Sequence, residues 1–159
     1  MTEKNFRTSW KSLALILLFT LGGGALVGFL TRDSMQIYDT IVQPPFAPPG
    51  WLFSVVWTIL YAAMSVSLWL MLRSGQHSGK TVALYIAQLL VNLIWPFLFF
   101  VRQAFGFAFW WLILLDVLVF WLMMRAFGIS RLSGWLLAPY AAWVSFASVL
   151  CFAVARLNV

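Results

Sequence analysis

Apolar residues dominate this chain in five long runs, at 13–30, 51–72, 81–101, 105–127 and 132–155. Each run is close to the ~20 residues a helix needs to cross the hydrocarbon core of a bilayer. The pattern predicts an all-α integral membrane protein, a five-transmembrane-helix bundle forming one domain over 1–159. The three later connections are short, so neighbouring helices should run antiparallel in a compact bundle. Only the first connection, 31–50, is long. A long loop in a compact protein is usually functional or disordered. This one carries Tyr38, Asp39 and two proline pairs, Pro44-Pro45 and Pro48-Pro49, which favours order. Proline fixes φ and lacks an N–H, so the pairs read as a stiff extended segment. Pro48 and Pro49 fall where the first turn of the second helix can accept them. A rigid loop feeding a helix that begins with Trp51, Phe53, Trp57 and Tyr61 suggests a lid over a pocket.

Composition agrees with a membrane setting. The chain is 64% hydrophobic and 9% charged, too few charges to cover a water-soluble domain. The run at 13–30 follows Lys4, Arg7 and Lys11, as a signal peptide would. It is long enough to span, however, and no Ala-x-Ala-like site precedes Thr31-Arg32-Asp33, so it is expected to be the first span. The net charge of +6 comes from basic residues scattered singly between apolar runs. Lipid headgroups and topology account for them, and nucleic acid is not expected as a partner. With five spans, Lys4, Arg7, Lys11, Arg73, Lys80, Arg125 and Arg131 fall on the N-terminal side, and Arg32, Arg102 and Arg156 on the other. The positive-inside rule then puts the N-terminus in the cytoplasm of a bacterial inner membrane, with the long loop outside.

Some of the ten tryptophans should be interfacial belt residues. Others share helix faces with hydrogen-bonding groups. Trp57 and Tyr61 are four apart, Asn92 and Trp95 precede Phe99 on one face, and Tyr140, Trp143 and Ala147 line another. Turned inward, three such faces would form a slot for a flat hydrophobic molecule with a few polar groups. The same aromatics also suit core packing or lipid contact. Asn92 and Asp116 are polar groups inside apolar spans, where each is a site candidate. Asn92 also suits a helix–helix hydrogen bond, and Asp116 an internal pair with a backbone donor or a tyrosine. Gly24 with Gly28, and Ala83 with Ala87, are small-xxx-small pairs that serve either an intrachain contact or a dimer seam. No metal site is expected, because His77 and Cys151 stand alone and far apart. No pair of intramembrane carboxylates supports a proton pump.

Three stretches together resemble the translocator protein family, also called tryptophan-rich sensory protein or peripheral-type benzodiazepine receptor. They are PPFAPPGWLFSVVWTILYAAM, NLIWPFLFF and PYAAWVSFASVL. The resemblance extends from Tyr38-Asp39 to the C-terminus. It implies a five-helix bundle, often a homodimer, with a pocket beneath the first loop. It also implies binding of porphyrins such as protoporphyrin IX, with no cofactor required. Carried over by motif, the pocket residues are Trp57, Tyr61, Asn92, Trp95, Trp143 and Ala147, with Phe46, Trp51, Phe53, Phe99 and Tyr140 alongside. The dimer seam falls near Ala83 and Ala87. Pro45 and Phe46 stand where the family has a loop tryptophan, and Cys151 where it commonly has asparagine. Val149, Phe152 and Arg156 only approximate the proposed cholesterol motif, so cholesterol is not the expected natural ligand.

The expected function is therefore a membrane translocator or sensor for tetrapyrroles and similar flat ligands. With no axial iron ligand evident, metal-free porphyrin should bind at least as well as haem. The alternative is a light-dependent porphyrin-degrading enzyme in which Trp57 and Trp143 react. A third reading is a structural subunit for other membrane proteins. An outer-membrane location, as assigned to some bacterial members of the family, stays open.

Overall fold

The computed structural model describes residues 9–76 and 78–158. Lys4, Arg7 and His77, used above for topology and chemistry, lie outside them. Five helices are long and apolar enough to cross a membrane. We number them α1 (Trp10–Thr31), α2 (Gly50–Arg73), α3 (Gly79–Pro96), α4 (Phe105–Ile129) and α5 (Arg131–Leu157). Each apolar run of the sequence is one helix, extended by one to three residues at most ends.

Local chemistry sets the boundaries. Pro49 is extended (φ −62°, ψ 145°) and caps α2, so both prolines of the second pair stand just outside the helix rather than in its first turn. At the end of α3, Pro96 has no N–H to offer the Asn92 carbonyl. The helix widens there into a π-helical turn, Phe97–Val101, closed by Arg102 N–H to Phe97 O at 2.9 Å. Gln103, in the left-handed region (φ 51°), then reverses the chain into α4. Ser130 separates α4 from α5. It is extended (φ −153°), and its side chain accepts from the Ser133 N–H at the start of α5.

Around the bundle, α1 packs on α2, α2 on α5, α5 on α4 and α4 on α3, while α3 closes the ring against α1 through sparser contacts. The core sits on the α4–α5 side. Leu112, Leu115, Val119 and Leu122 of α4 and Leu137, Val144 and Val154 of α5 have essentially no exposed surface. By contrast α1 is the least buried span, and its buried residues are Ser12, Thr20 and Thr31.

The long loop is ordered. It forms a 3₁₀ turn, Ser34–Asp39, that packs on the π-helical turn after α3. Tyr38 is buried, with its ring edge-on to Phe53 at 5.3 Å and its hydroxyl donating to Pro48 O at 3.0 Å. Burial, with Asp39 beside it, raises the Tyr38 phenol above its ordinary pKa. It therefore stays a proton donor at neutral pH.

Candidate ligand-binding site

Beneath this loop lies a cavity of about 360 Å³ between α1, α2 and α3. Leu21, Gly24, Val27 and Gly28 form its α1 wall, Phe53, Trp57 and Tyr61 its α2 wall, and Asn92, Trp95 and Pro96 its α3 wall. Met35, Tyr38 and Gly50 complete the top. The volume falls at the lower end of the range for small-molecule pockets.

The aromatic wall is built from helical spacing. Trp57 and Tyr61 sit one turn apart with ring centroids 5.4 Å apart. The Tyr61 ring lies against the bare Cα of Gly24, where any Cβ would collide with it. Gly24 is thus needed for an intrachain contact, and α1 approaches α2 closely at this point.

The floor is polar. Tyr61 donates to Asn92 Oδ1 (2.7 Å), Asn92 Nδ2 donates to Tyr140 Oη (2.8 Å), and Tyr140 donates to Gln88 Oε1 (2.7 Å). Gln88 Nε2 ends the chain on Tyr85 O (3.0 Å), and the Tyr85 hydroxyl pairs with Thr20 of α1 (2.9 Å). Every donor points the same way along this route, from α2 through α3 to α5 and back to α3. Tyr61 spends its proton on Asn92, so toward the cavity it offers an acceptor oxygen. Asn92 keeps a second amide N–H beyond the one given to Tyr140. The floor therefore presents both a donor and an acceptor within a largely apolar space. In the membrane interior such groups must be satisfied internally, and this network ties four helices together.

Five of the eleven ligand-site candidates read from the sequence line this cavity, Phe53, Trp57, Tyr61, Asn92 and Trp95, and so do Tyr38, Gly24 and Gly28, noted there for other roles. Phe99 stacks behind Trp95 at 5.0 Å. Tyr140 is fully buried and does not line the cavity, meeting its wall through the Asn92 amide and the Trp57 ring. Ala147 is buried in α5. Trp51 and Phe46 are exposed (66% and 50%), Phe46 lying edge-on to Phe146. Trp143 does not face the slot beside Trp57. It meets the other side of Phe53 at 5.8 Å and lines a separate crevice of about 460 Å³ with Val56, Leu60, Pro139 and Phe146. The ring order explains the difference. α5 sits between α2 and α4, across the bundle from α1, so its inner face fills core and Trp143 turns toward the α2–α5 seam. The Trp143 indole N–H is buried without a hydrogen-bond partner among the described residues.

Asp116 has an internal pairing with serines rather than a tyrosine or backbone donor. Ser145 and Ser148 of α5 donate to its two oxygens at 3.0 and 2.7 Å. Ala83 and Ala87 lie on the exposed outer face of α3. Cys151 is buried, its thiol directed at Phe105 O, and no cluster of metal ligands occurs among the described residues.

Sequence reasoning missed Gln88, the α1 wall and Met35. Gln88 carried a usable signal, since it precedes Asn92 by four residues on the same face. The glycines of α1 carried none that separated a cavity wall from a packing seam.

Residues 15–157 match the model of the TspO/MBR family. The Tryptophan-rich protein TspO of Chlorobaculum tepidum is 37% identical over 138 residues, covering 82% of this chain and 84% of the relative. The Tryptophan-rich sensory protein of Cereibacter sphaeroides is 33% identical, covering 92% of each. The human Translocator protein is 32% identical, covering 85% of this chain and 83% of the relative.

Proposed function

The chain belongs to the TspO/MBR family, and on that premise we propose that it is a membrane translocator or sensor that binds metal-free porphyrins and comparable flat hydrophobic ligands beneath its first loop. The observation that carries this reading is the cavity between α1, α2 and α3. One wall is the Trp57–Tyr61 aromatic pair, and the Asn92 amide stands in the floor. A planar π-system stacks on the indole, and its polar edge meets Asn92 and Tyr61. At about 360 Å³, the cavity holds part of a tetrapyrrole, and the rest extends through its open side. The N-terminus and the basic side of the bundle belong in the cytoplasm on this reading, and Ala83 and Ala87 offer a seam for a homodimer.

Titration of the purified protein with protoporphyrin IX in the dark tests the reading. Saturable quenching of tryptophan fluorescence, weakened about tenfold in Trp57→Phe and less in Trp143→Phe, is expected. Absence of saturable binding in the unaltered protein would overturn it. Light-driven degradation is a second reading, favoured by the position of Trp57. Its ring faces the cavity and also contacts Tyr140 at 6.1 Å, so an indole oxidised by an excited porphyrin has phenols beside it. Illumination of the same samples separates the two readings. Repeated turnover of the Soret band that depends on Trp57 supports an enzyme, and a stable band supports a binder.

A further inference from the structure

We infer that the cavity is loaded sideways from the bilayer, through a window between α1 and α2, while the long loop serves as a fixed roof rather than a moving lid. The inference deepens the proposed binding function and names the source of the ligand: a molecule dissolved in the membrane.

The roof is tied to the bundle at Val42 and stiffened by bonds within the loop. At the far end of the chain, the Asn158 side chain pairs with the Val42 backbone in both directions. Val42 N–H donates to Asn158 Oδ1 at 2.9 Å, and Asn158 Nδ2 donates to Val42 O at 2.9 Å. Asn158 also donates to Val154 O, so the pairing is anchored on the last turn of α5. Within the loop, Tyr38 holds Pro48, and Gln43 holds Tyr38 O. The prolines remove further backbone freedom. Lifting this loop would break two amide pairings at once and expose a buried aromatic ring.

The α1–α2 side is built differently. Ala25, Ser54 and Thr58 line the cavity and are exposed on the outside of the bundle as well. Thr58 lies eight residues into α2, ~12 Å along its axis at ~1.5 Å per residue. The 24 residues of α2 span ~36 Å against ~30 Å of hydrocarbon. The window therefore opens ~9 Å inside the apolar layer, not at its surface. Its threonine is suited to that depth, since the hydroxyl is already spent on Ser54 O at 2.8 Å. On the facing helix, Gly28 lines the cavity and has open space where a side chain would stand. The flanking outer residues Leu18, Phe19, Leu26 and Phe29 are apolar and exposed, as a lipid-facing surface requires. The ties on α1 lie in its N-terminal half and middle: Trp10 packs on Trp69 at 5.0 Å, Trp69 donates to Ser9 O, Thr20 pairs with Tyr85 and Gly24 takes the Tyr61 ring, while the window lies toward the loop end of the helix. A small outward swing of α1 widens the window at low cost, because lipid replaces each lost apolar contact.

The test needs no porphyrin, so its failure is distinct from failure of the proposed ligand. A thiol is placed in the cavity as Val27→Cys in a Cys151→Ala background, and the protein is reconstituted in lipid vesicles. It is then labelled with a bilayer-soluble pyrene maleimide or with a charged, water-soluble methanethiosulfonate. Lateral loading predicts that the bilayer-soluble reagent reacts, that Thr58→Trp or Ser54→Trp slows it at least fivefold, and that Asn158→Ala leaves its rate within twofold. Both tryptophan substitutions are at exposed positions, and either suffices if the other fails to fold. Labelling dominated by the charged reagent and accelerated by Asn158→Ala would make the roof the entrance and overturn the inference. No labelling by either reagent would overturn it as well.

Discussion

The two sides of the bundle are held together by opposite means. Along the α4–α5 seam, Leu115, Val119 and Leu122 interlock with Leu137, Val144 and Val154, all with essentially no exposed surface. Against α1 the apolar contact is looser, with Ile16 and Leu21 only partly buried and Trp10 packed on Trp69 at its N-terminal end. Its buried side chains are hydroxyl-bearing, and a glycine accepts the Tyr61 ring. In a bilayer, burying leucine against leucine gains no hydrophobic free energy, because lipid is equally apolar. Helix association rests on packing density and hydrogen bonds. The α4–α5 side has dense packing and is the permanent frame. The α1 side relies on a few specific contacts around empty volume, which is what a ligand-admitting wall needs.

The largest expected effects test that contrast directly. Leu115→Ala should cost ~2 kcal/mol of stability through the cavity it leaves, the part of a large-to-small cost that persists in lipid. Leu21→Ala, on the cavity wall of α1, should cost under ~1 kcal/mol because its space is already partly empty. Thermal unfolding in one detergent, read by circular dichroism, checks the pair, and equal costs would break the comparison. Next in size, Gly24→Val forces a side chain into the Tyr61 ring. Binding of protoporphyrin IX should weaken at least tenfold while the melting temperature moves by only a few degrees.

An effect of similar size is expected from Asn92→Leu. It leaves the Tyr61 and Tyr140 hydroxyls without their shared amide, a loss of ~1–3 kcal/mol for buried groups left unpaired. Stability and binding should fall together here, unlike in Gly24→Val, because the network joins the frame to the cavity. Smallest is Tyr61→Phe, which removes one donor at ~1 kcal/mol. It should change affinity severalfold without altering the melting temperature by more than a few degrees. A Tyr61→Phe protein that melts as poorly as Asn92→Leu would show that the network is not read correctly.

Much of the fold was legible in the sequence because membrane crossing is a one-dimensional constraint. Apolar runs of sufficient length must be helices in lipid, and the five runs became α1 to α5 with small shifts at their ends. Part of the site was legible for a related reason. Residues three or four apart share a face, so Trp57 with Tyr61 and Asn92 with Trp95 emerged as units. Trp143 shows the limit of that reasoning. Its spacing from Tyr140 puts both on one face of α5, and spacing says nothing about which helix each side of that face meets. Asp116 was similarly legible as a group needing partners, while the identity of those partners, Ser145 and Ser148, required two helices to be set side by side.

The sequence by itself determined that this protein lives in a bilayer, that it crosses five times, and which of its aromatics travel with polar groups. Length, hydropathy and helical period suffice for those statements, since each concerns one segment at a time. Only the tertiary structure decided that the cavity lies between α1, α2 and α3, that Trp143 stands outside it, that Gln88 completes the polar floor and that Asn158 holds the roof. Those facts depend on the order of helices around the ring and on contacts between residues as far apart as Val42 and Asn158. Lipid exerts no directional pull that would fix that order from the sequence of any single helix.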